Sequence, residues 1–203
     1  MNDHTRIVVL ISGNGYNLQA ILDACASGVL SATVSAVFSN KADAPGLERA
    51  RQAGIPAVVS EKIQEQDRRT YDARLAEMVA SFGPDWIVLA GWMRILTSAF
   101  LDRFPSRVIN LHPALPGCFP GTHAIERAYE AWQKGEIKKT GVMVHLVPDE
   151  GVDIGPVLGT REILFRPGEP LEKFQDRIHE AEHALLVETL KTVLNTKDSR
   201  VLQ

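Results

Sequence analysis

Residues 6–28 read RIVVLISGNGYNLQAILDACASG, and this stretch decides the fold class. Its first seven residues centre on an unbroken, mostly β-branched apolar run, which is typical of a strand covered on both faces. Glycines interrupt the run, and apolar residues then return at helical spacing from Leu18 to Cys25, with Gly28 as a stop. A buried strand followed directly by a helix predicts the first unit of a parallel α/β sheet.

The same alternation continues along the chain. Further strands are predicted at residues 34–39, 55–60, 84–92, 107–112, 140–147 and 155–165. Helices are predicted at residues 17–28, 44–54, 67–82, 97–103, 122–134 and 170–195. No helix separates the last two strands, so we expect them to form an antiparallel pair at one edge. These elements predict a mostly parallel α/β sheet in a single domain over residues 1–203.

Composition and charge narrow the class of protein. Of the 203 residues, 45% are hydrophobic and 23% are charged, which is ordinary for a globular protein. The formal net charge is −3 and no basic cluster is present, which argues against nucleic acid and membrane surfaces as partners. The two cysteines lie far apart and the first apolar run is too short for a signal peptide, so we expect a cytoplasmic protein.

Segments with chemically active side chains follow several predicted strands. They lie at residues 13–17, 92–96 and 110–121, and an acidic loop at residues 149–153 follows a fourth strand. In open α/β sheets, ligands bind beyond the carboxyl ends of the strands. We therefore expect these segments to form one site.

The segment SGNGYN, residues 12–17, joins the first strand to the first helix. Its glycines let backbone N–H groups approach a ligand, and a helix N-terminus favours an anion, so the loop is a candidate phosphate site. It lacks the third glycine of the dinucleotide motif and the Gly-Lys-Ser/Thr of a Walker loop. The alternative is a tight turn capped by Asn17.

Two polar residues end the fifth predicted strand. Asn110 and His112 are two residues apart, so their side chains face the same side. An amide can donate to a developing oxyanion and an imidazole can exchange a proton near neutral pH, which suits acyl transfer. One of the carboxylates Asp149, Glu150 and Asp153 could orient His112 and favour its charged form. The alternatives are turn-capping residues and a polar hairpin turn.

Metal binding and covalent catalysis are not expected. The histidines and acidic residues lie in different segments and form no short ligand motif. Cys118 is a lone loop cysteine, and no other feature supports a covalent intermediate there. His145 lies within a strand pattern, where we expect it to be packed or hydrogen-bonded.

Five segments of the chain are characteristic in content and order: VVLISGNGYNLQAI, FSNKADAPGLERARQAGI, PDWIVLAGWMRIL, INLHPALPGCFPG and VDIGPV. They resemble the phosphoribosylglycinamide formyltransferases, the folate-dependent enzymes of de novo purine synthesis, over nearly the whole chain. The resemblance implies a doubly wound, mostly parallel sheet with helices on both faces. It implies transfer of a formyl group from 10-formyltetrahydrofolate to the amine of glycinamide ribonucleotide, without a metal. It is compatible with a monomer or a homodimer.

The resemblance also implies a role for individual residues. Asn110 and protonated His112 would stabilise the oxyanion, while Asp153 would keep His112 charged and oriented and assist proton transfer. The residues implied to bind the formyl folate are Met93, Arg94, Ile95, Leu96, Val147 and Glu150. The residues implied to bind the ribonucleotide are Gly15, Tyr16, Asn17, Arg68, Pro113 and Glu182. Among these, residues 15–17 and Arg68 would lie at the phosphate, and Glu182 at the ribose.

The chain departs from the family pattern at three places. Tyr16 stands where the family usually has Ser or Thr, and residues 115–119 lack the usual Lys. The stretch from His145 to Asp153 is one residue longer than usual. Because of Tyr16, a relative that formylates another amine, such as an amino sugar nucleotide, remains the main alternative.

Two further enzyme classes and one non-enzymatic class stay open. A formyltetrahydrofolate hydrolase would share the Asn, His and Asp, although it normally has a further N-terminal regulatory domain. A methionyl-tRNA formyltransferase would carry an additional C-terminal domain. A non-catalytic nucleotide-binding module would bind ligands without turnover, and the complete Asn110, His112 and Asp153 set argues against it.

Overall fold

The computed structural model describes residues 4–195, in which strands and helices alternate as the sequence predicts. The strands are β1 Thr5–Ile11, β2 Ala32–Ser39, β3 Ala57–Val59, β4 Trp86–Leu89, β5 Val108–His112, β6 Lys139–Leu146 and β7 Val157–Leu164. The helices are α1 Tyr16–Ala26, α2 Gly46–Gln52, α3 Arg68–Ala80, α4 Ser98–Leu101, α5 Ala124–Gln133 and α6 Leu171–Asn195. Residues 1–3 and 196–203, the two ends of the predicted domain, lie outside the described residues.

All seven strands form one sheet in the order β3-β2-β1-β4-β5-β6-β7. The pairs from β3 to β5 are parallel. Strand β6 is antiparallel to both of its neighbours, β5 and β7. The predicted antiparallel pair is therefore confirmed, and β6 is the strand whose direction is reversed.

The two faces of the sheet are covered by different helices. Ile7, Val9 and Ile11 of β1 pack in one cluster with apolar residues of α1, α5 and α6. Val8 and Leu10 pack in a second cluster with residues of α3 and α4. Because successive side chains of a strand point to opposite faces, a continuous apolar run is what a strand covered on both faces requires.

The turn between β1 and α1 depends on two glycines that face each other. Gly15 precedes the helix with a φ of 71°, which is a left-handed conformation that favours glycine. A Cβ on Gly15 would lie 2.7 Å from the Cα of Gly46, whose N–H donates to the carbonyl of Gly13 at 3.1 Å. The helix begins at Tyr16, so Asn17 lies inside it and the alternative of an Asn17 cap is wrong.

Within residues 4–195, none of the helices combines the length and the apolar character needed to span a bilayer.

Candidate active site

Asn110, His112 and Asp153 lie together at the carboxyl end of β5. Asn110 and His112 are on the same side of this strand, and Asp153 reaches both from the loop that joins β6 to β7. Asn110 Nδ2 donates to Asp153 Oδ1 at 3.1 Å, and His112 Nδ1 lies 3.2 Å from Asp153 Oδ2. The structure thus brings the predicted trio into contact, while its role in catalysis stays a prediction.

The Asp153 carboxylate is held in its ionised form by several hydrogen bonds. Burial raises the pKa of Asp153, but the adjacent His145 ring, the hydrogen bond from the Gly121 N–H and the proximity of His112 outweigh it and lower the pKa below its ordinary value. The Gly121 N–H donates to Oδ2 at 2.8 Å. This bond also connects the loop after β5 to the loop that carries Asp153.

His112 lies between two acceptors. Its Nδ1 faces Asp153, and its Nε2 is 3.1 Å from the carbonyl oxygen of Phe119, which Arg127 also contacts at 2.8 Å. Burial lowers the pKa of His112 below its ordinary value, and the Asp153 charge and the Phe119 carbonyl oppose this only in part. Burial therefore favours the neutral ring here, while the role of Asp153 in keeping His112 charged and oriented during the reaction stays a prediction.

The loop between β6 and β7 is anchored at two further points. The N–H of Val147 donates to the carbonyl of Val108 at 2.9 Å, which extends the pairing of β6 with β5. Glu150 Oε1 accepts from the Ser98 N–H at 3.1 Å, at the first residue of α4. The first contact lies at the amino end of β5 and the second lies at α4, so the loop is fixed to two separate elements.

The segment implied to bind the folate follows β4 and presents apolar side chains to solvent. The Met93 N–H donates to Ser12 Oγ at 2.8 Å, so the segment is fixed against the end of β1. Met93 and Ile95 are 65% and 45% exposed, whereas Leu96 is buried. Exposed apolar side chains beside buried polar groups are typical of a ligand site.

Two arginines lie beside this segment. Arg94 places its guanidinium 4.5 Å from the ring centre of Tyr71, on the α3 side of the sheet. Arg68 Nη2 is 3.4 Å from Glu150 Oε2 and 3.5 Å from the carbonyl of Ile95. Since Glu150 and Ile95 are both implied folate contacts, the position of Arg68 favours the folate over the phosphate that the resemblance implies for it.

The implied phosphate loop is supported by a different arginine. Arg49 Nε donates to the carbonyl of Asn14 at 2.8 Å, and its guanidinium lies 4.9 Å from the ring centre of Tyr16. Tyr16 is more than half exposed. Asn17 Oδ1 has no hydrogen-bond partner in the described part of the chain. The first turn of α1 thus combines free backbone N–H groups with a nearby cation.

The remaining implied ribonucleotide residues lie on different elements. Pro113 directly follows β5 and is partly buried. Glu182 lies on α6, is buried, and has its Oε2 at 2.7 Å from Nδ1 of the half-exposed His179. The hydrogen bond to Glu182 raises the pKa of His179 above its ordinary value. Contact of either implied residue with a ribonucleotide stays a prediction.

Comparison with known proteins identifies the family. Residues 5–190 match the family model described as formyl transferase. The chain belongs to the formyl transferase family. This formyl transferase is 47% identical over 204 residues to phosphoribosylglycinamide formyltransferase of Dictyostelium discoideum, covering 94% of the chain and 98% of that relative. It is 45% identical over 200 residues to the protein of the same name from Schizosaccharomyces pombe, covering 93% and 96%.

A solved structure agrees with this assignment. The crystal structure of glycinamide ribonucleotide transformylase 1 from Symbiobacterium toebii superimposes with a TM-score of 0.88 at 40% identity, covering 95% of this chain and 89% of that chain. The family and the fold class predicted from the sequence are confirmed. This chain is a formyltransferase with the mostly parallel, seven-stranded sheet of its relatives.

Sequence reasoning missed one member of this formyl transferase's polar cluster. His145 is expected to be packed or hydrogen-bonded in its strand, and it is both, but its partners are Asn110 and Asp153. Its Nε2 is 3.1 Å from Asn110 Nδ2 and 3.5 Å from Asp153 Oδ1. The antiparallel register of β5 and β6 pairs Asn110 with His145 directly, and the sequence alone does not give this register.

Proposed function

We propose that this protein transfers the formyl group of 10-formyltetrahydrofolate to the amine of glycinamide ribonucleotide. The observation that carries the proposal is the contact of Asn110, His112 and Asp153 at the carboxyl edge of the sheet. The names of the two relatives and of the solved structure support the choice of substrates. The cytoplasmic location, the small-molecule partners and a monomeric or homodimeric state stay predictions.

The reaction needs an oxyanion to be stabilised and a proton to be moved. The substrate amine attacks the formyl carbon, a C–N bond forms, and the formyl oxygen becomes negatively charged. Asn110 and His112 are side-chain donors on the same side of this strand end, and they would bind that oxygen. When the intermediate collapses, the bond to the folate nitrogen breaks, and the proton lost by the amine goes to that nitrogen.

The surroundings of His112 suit this change of charge. Its burial disfavours the charged imidazolium, and Asp153 lies next to it to compensate the charge. A negative charge that develops on the substrate beside the ring raises the proton affinity of His112. Asp153, which stays ionised in this site, can then orient the imidazolium and assist transfer of the amine proton.

The two substrates are assigned to different segments near this cluster. The exposed apolar side chains of Met93 and Ile95 suit the flat ring system of a folate. The first turn of α1, with Arg49 beside it, suits the phosphate of the ribonucleotide. Within residues 4–195 no three His, Cys, Asp or Glu side chains are grouped as metal ligands, and a metal-free reaction stays a prediction.

A formyl-transfer assay on the purified protein tests the proposal. The protein is given 10-formyltetrahydrofolate with and without glycinamide ribonucleotide, and both the folate product and the formylated amine are measured. We expect both products only when the amine is present. Equal folate turnover without the amine would indicate a hydrolase, and turnover only with an amino sugar nucleotide would indicate a formyltransferase for that amine. Binding of both ligands without turnover would indicate a non-catalytic module.

A further inference from the structure

His145 forms a buried hydrogen-bonded chain with its own strand and with Asn110. The residue is 2% exposed, and its Nδ1 lies 2.8 Å from the carbonyl oxygen of Leu146. A carbonyl oxygen only accepts hydrogen bonds, so Nδ1 carries the hydrogen. In the neutral ring Nε2 then has a free lone pair, and it accepts from Asn110 Nδ2 at 3.1 Å.

The amide of Asn110 therefore faces two acceptors with its nitrogen end. Asn110 Nδ2 is 3.1 Å from both His145 Nε2 and Asp153 Oδ1, and these two acceptors are 3.5 Å from each other. The triangle is almost equilateral, whereas the two N–H bonds of an amide diverge by about 120°. A single N–H that points between the two acceptors can therefore serve both, which leaves the other N–H available to a ligand.

We infer that His145 is a positioning residue that holds the Asn110 amide with one N–H free to bind the oxyanion. A flipped amide would place the carbonyl oxygen of Asn110 against the lone pair of His145 Nε2 and the carboxylate of Asp153, where three acceptors would repel one another. The flip would also leave no N–H of Asn110 available to bind the oxyanion. This inference rests on the proposed function, because it concerns the oxyanion formed in that reaction.

Neither neighbour alone fixes the amide as firmly as the two together. Asp153 also accepts from Gly121 and faces His112, so its carboxylate is shared among several donors. His145 has Asn110 as its nearest side-chain partner, at 3.1 Å against 3.5 Å to Asp153. Loss of the imidazole should consequently change the orientation of Asn110 more than the position of Asp153.

Replacement of His145 tests the inference. His145→Leu removes the acceptor, and His145→Gln keeps an oxygen that can accept near the position of Nε2. We expect His145→Leu to lower kcat about tenfold to a hundredfold with little change in the KM of either substrate, because removal of one oxyanion donor costs about 10²–10³-fold. We expect His145→Gln to recover most of that loss.

A double-mutant comparison separates positioning from a general structural effect. In an Asn110→Ala background, His145→Leu should cost less than about twofold, because the group through which it acts is gone. A loss equal to that in the parent protein, or an unchanged kcat in the single His145→Leu variant, would overturn the inference. Thr140→Val is the matched control, since Thr140 is buried in the same strand and its hydroxyl has no hydrogen-bond partner in the described residues.

Nitrogen NMR of the unmodified protein gives a test that does not depend on variants. We expect the neutral His145 ring to carry its hydrogen on Nδ1 and its lone pair on Nε2, and the opposite tautomer would overturn the inference. The outcomes also distinguish the two proposals. A parent protein without formyl transfer to glycinamide ribonucleotide contradicts the proposed function, whereas normal transfer by His145→Leu contradicts only the role of His145.

Discussion

Asp153→Asn separates the role of the carboxylate in catalysis from its role in stability. The substitution keeps the size of the side chain but removes its charge and one of its two acceptor oxygens. Asp153 accepts from Gly121 and Asn110 and faces His112, and its side chain is only 10% exposed. The amide of Asn has only one acceptor oxygen. It can therefore accept either from Gly121 and His112, which face Oδ2 in the parent, or from Asn110, which faces Oδ1.

The expected change in stability is small. A hydrogen bond to a charged group contributes about 1.5–3 kcal/mol and a neutral one about 0.5–1.5 kcal/mol, so each weakened contact costs about 1 kcal/mol. The burial of the carboxylate, which raises the pKa of Asp153, opposes the charged form, and its removal offsets part of this cost. We expect a net loss of about 1–2 kcal/mol, which lowers Tm by several degrees and leaves the protein folded at 25 °C.

The expected change in activity is much larger. Orientation of a proton-transferring imidazole contributes about 10²–10⁴-fold, so kcat of Asp153→Asn should fall at least a hundredfold. The formyl-transfer assay measures kcat, and calorimetry measures Tm. A kcat within tenfold of the parent, or a loss that follows the unfolded fraction, would refute the reasoning.

The same variant has two consequences that depend on pH. The charge of Asp153 raises the pKa of His112 against the effect of burial, so NMR titration should give a still lower pKa of His112 in Asp153→Asn. The depressed pKa of Asp153 contributes stability that is present above its unfolded pKa of about 3.9 and is lost as pH falls through its folded pKa. The contribution of the Asp153 carboxylate to the difference in free energy of unfolding between parent and variant should therefore be constant near neutral pH and shrink below about pH 4.

Three further predictions concern the predicted binding regions. Gly46→Ala places a Cβ 2.4 Å from Ile11 Cδ1 and should lower the free energy of unfolding by about 1–3 kcal/mol, measured by urea unfolding, and raise the KM of the ribonucleotide. Arg68→Ala should raise the KM of the formyl folate and leave that of the ribonucleotide within about twofold. The variant should stay folded, because a single exposed ion pair such as Arg68–Glu150 contributes little to stability. The reverse pattern of KM values would place Arg68 at the phosphate. Glu182→Gln should lower the pKa of His179, measured by NMR, because the hydrogen bond that His179 donates to the Glu182 carboxylate is the largest effect that raises this pKa. His179 contributes stability below pH 6.5 in the parent that is lost as pH rises through its folded pKa, and Glu182→Gln should weaken this dependence.

Much of the fold follows from local sequence patterns. The apolar run at residues 7–11 is continuous because β1 is central and covered on both faces, so its strand character and its burial have the same cause. Every predicted strand and helix is present, and the ends differ by at most three residues. Helix ends depend on single backbone conformations such as that of Gly15, and short patterns do not specify these.

The candidate site was only partly predictable, because it is assembled by pairing across strands. Asn110 and His112 are two residues apart in one strand, so their common direction is a local property. The contact of His145 with Asn110 depends on the register of an antiparallel pair, and a shift by one residue would point His145 to the opposite face. Arg49 reaches the loop before α1 only because α2 packs against it through Gly46.

The arrangement around His112 indicates what ligand binding must change. The Nε2 of His112 is paired with the carbonyl of Phe119, and Arg127 donates to that same carbonyl and to the carbonyl of Pro120. A neutral imidazole has one N–H, so Asp153 and Phe119 compete for it, whereas an imidazolium satisfies both. A substrate oxygen that becomes negatively charged is a stronger acceptor than a peptide carbonyl, so it can replace Phe119 as the partner of Nε2. The cost of the buried imidazolium is thereby compensated by Asp153 and the oxyanion together, at the step in which the charge develops.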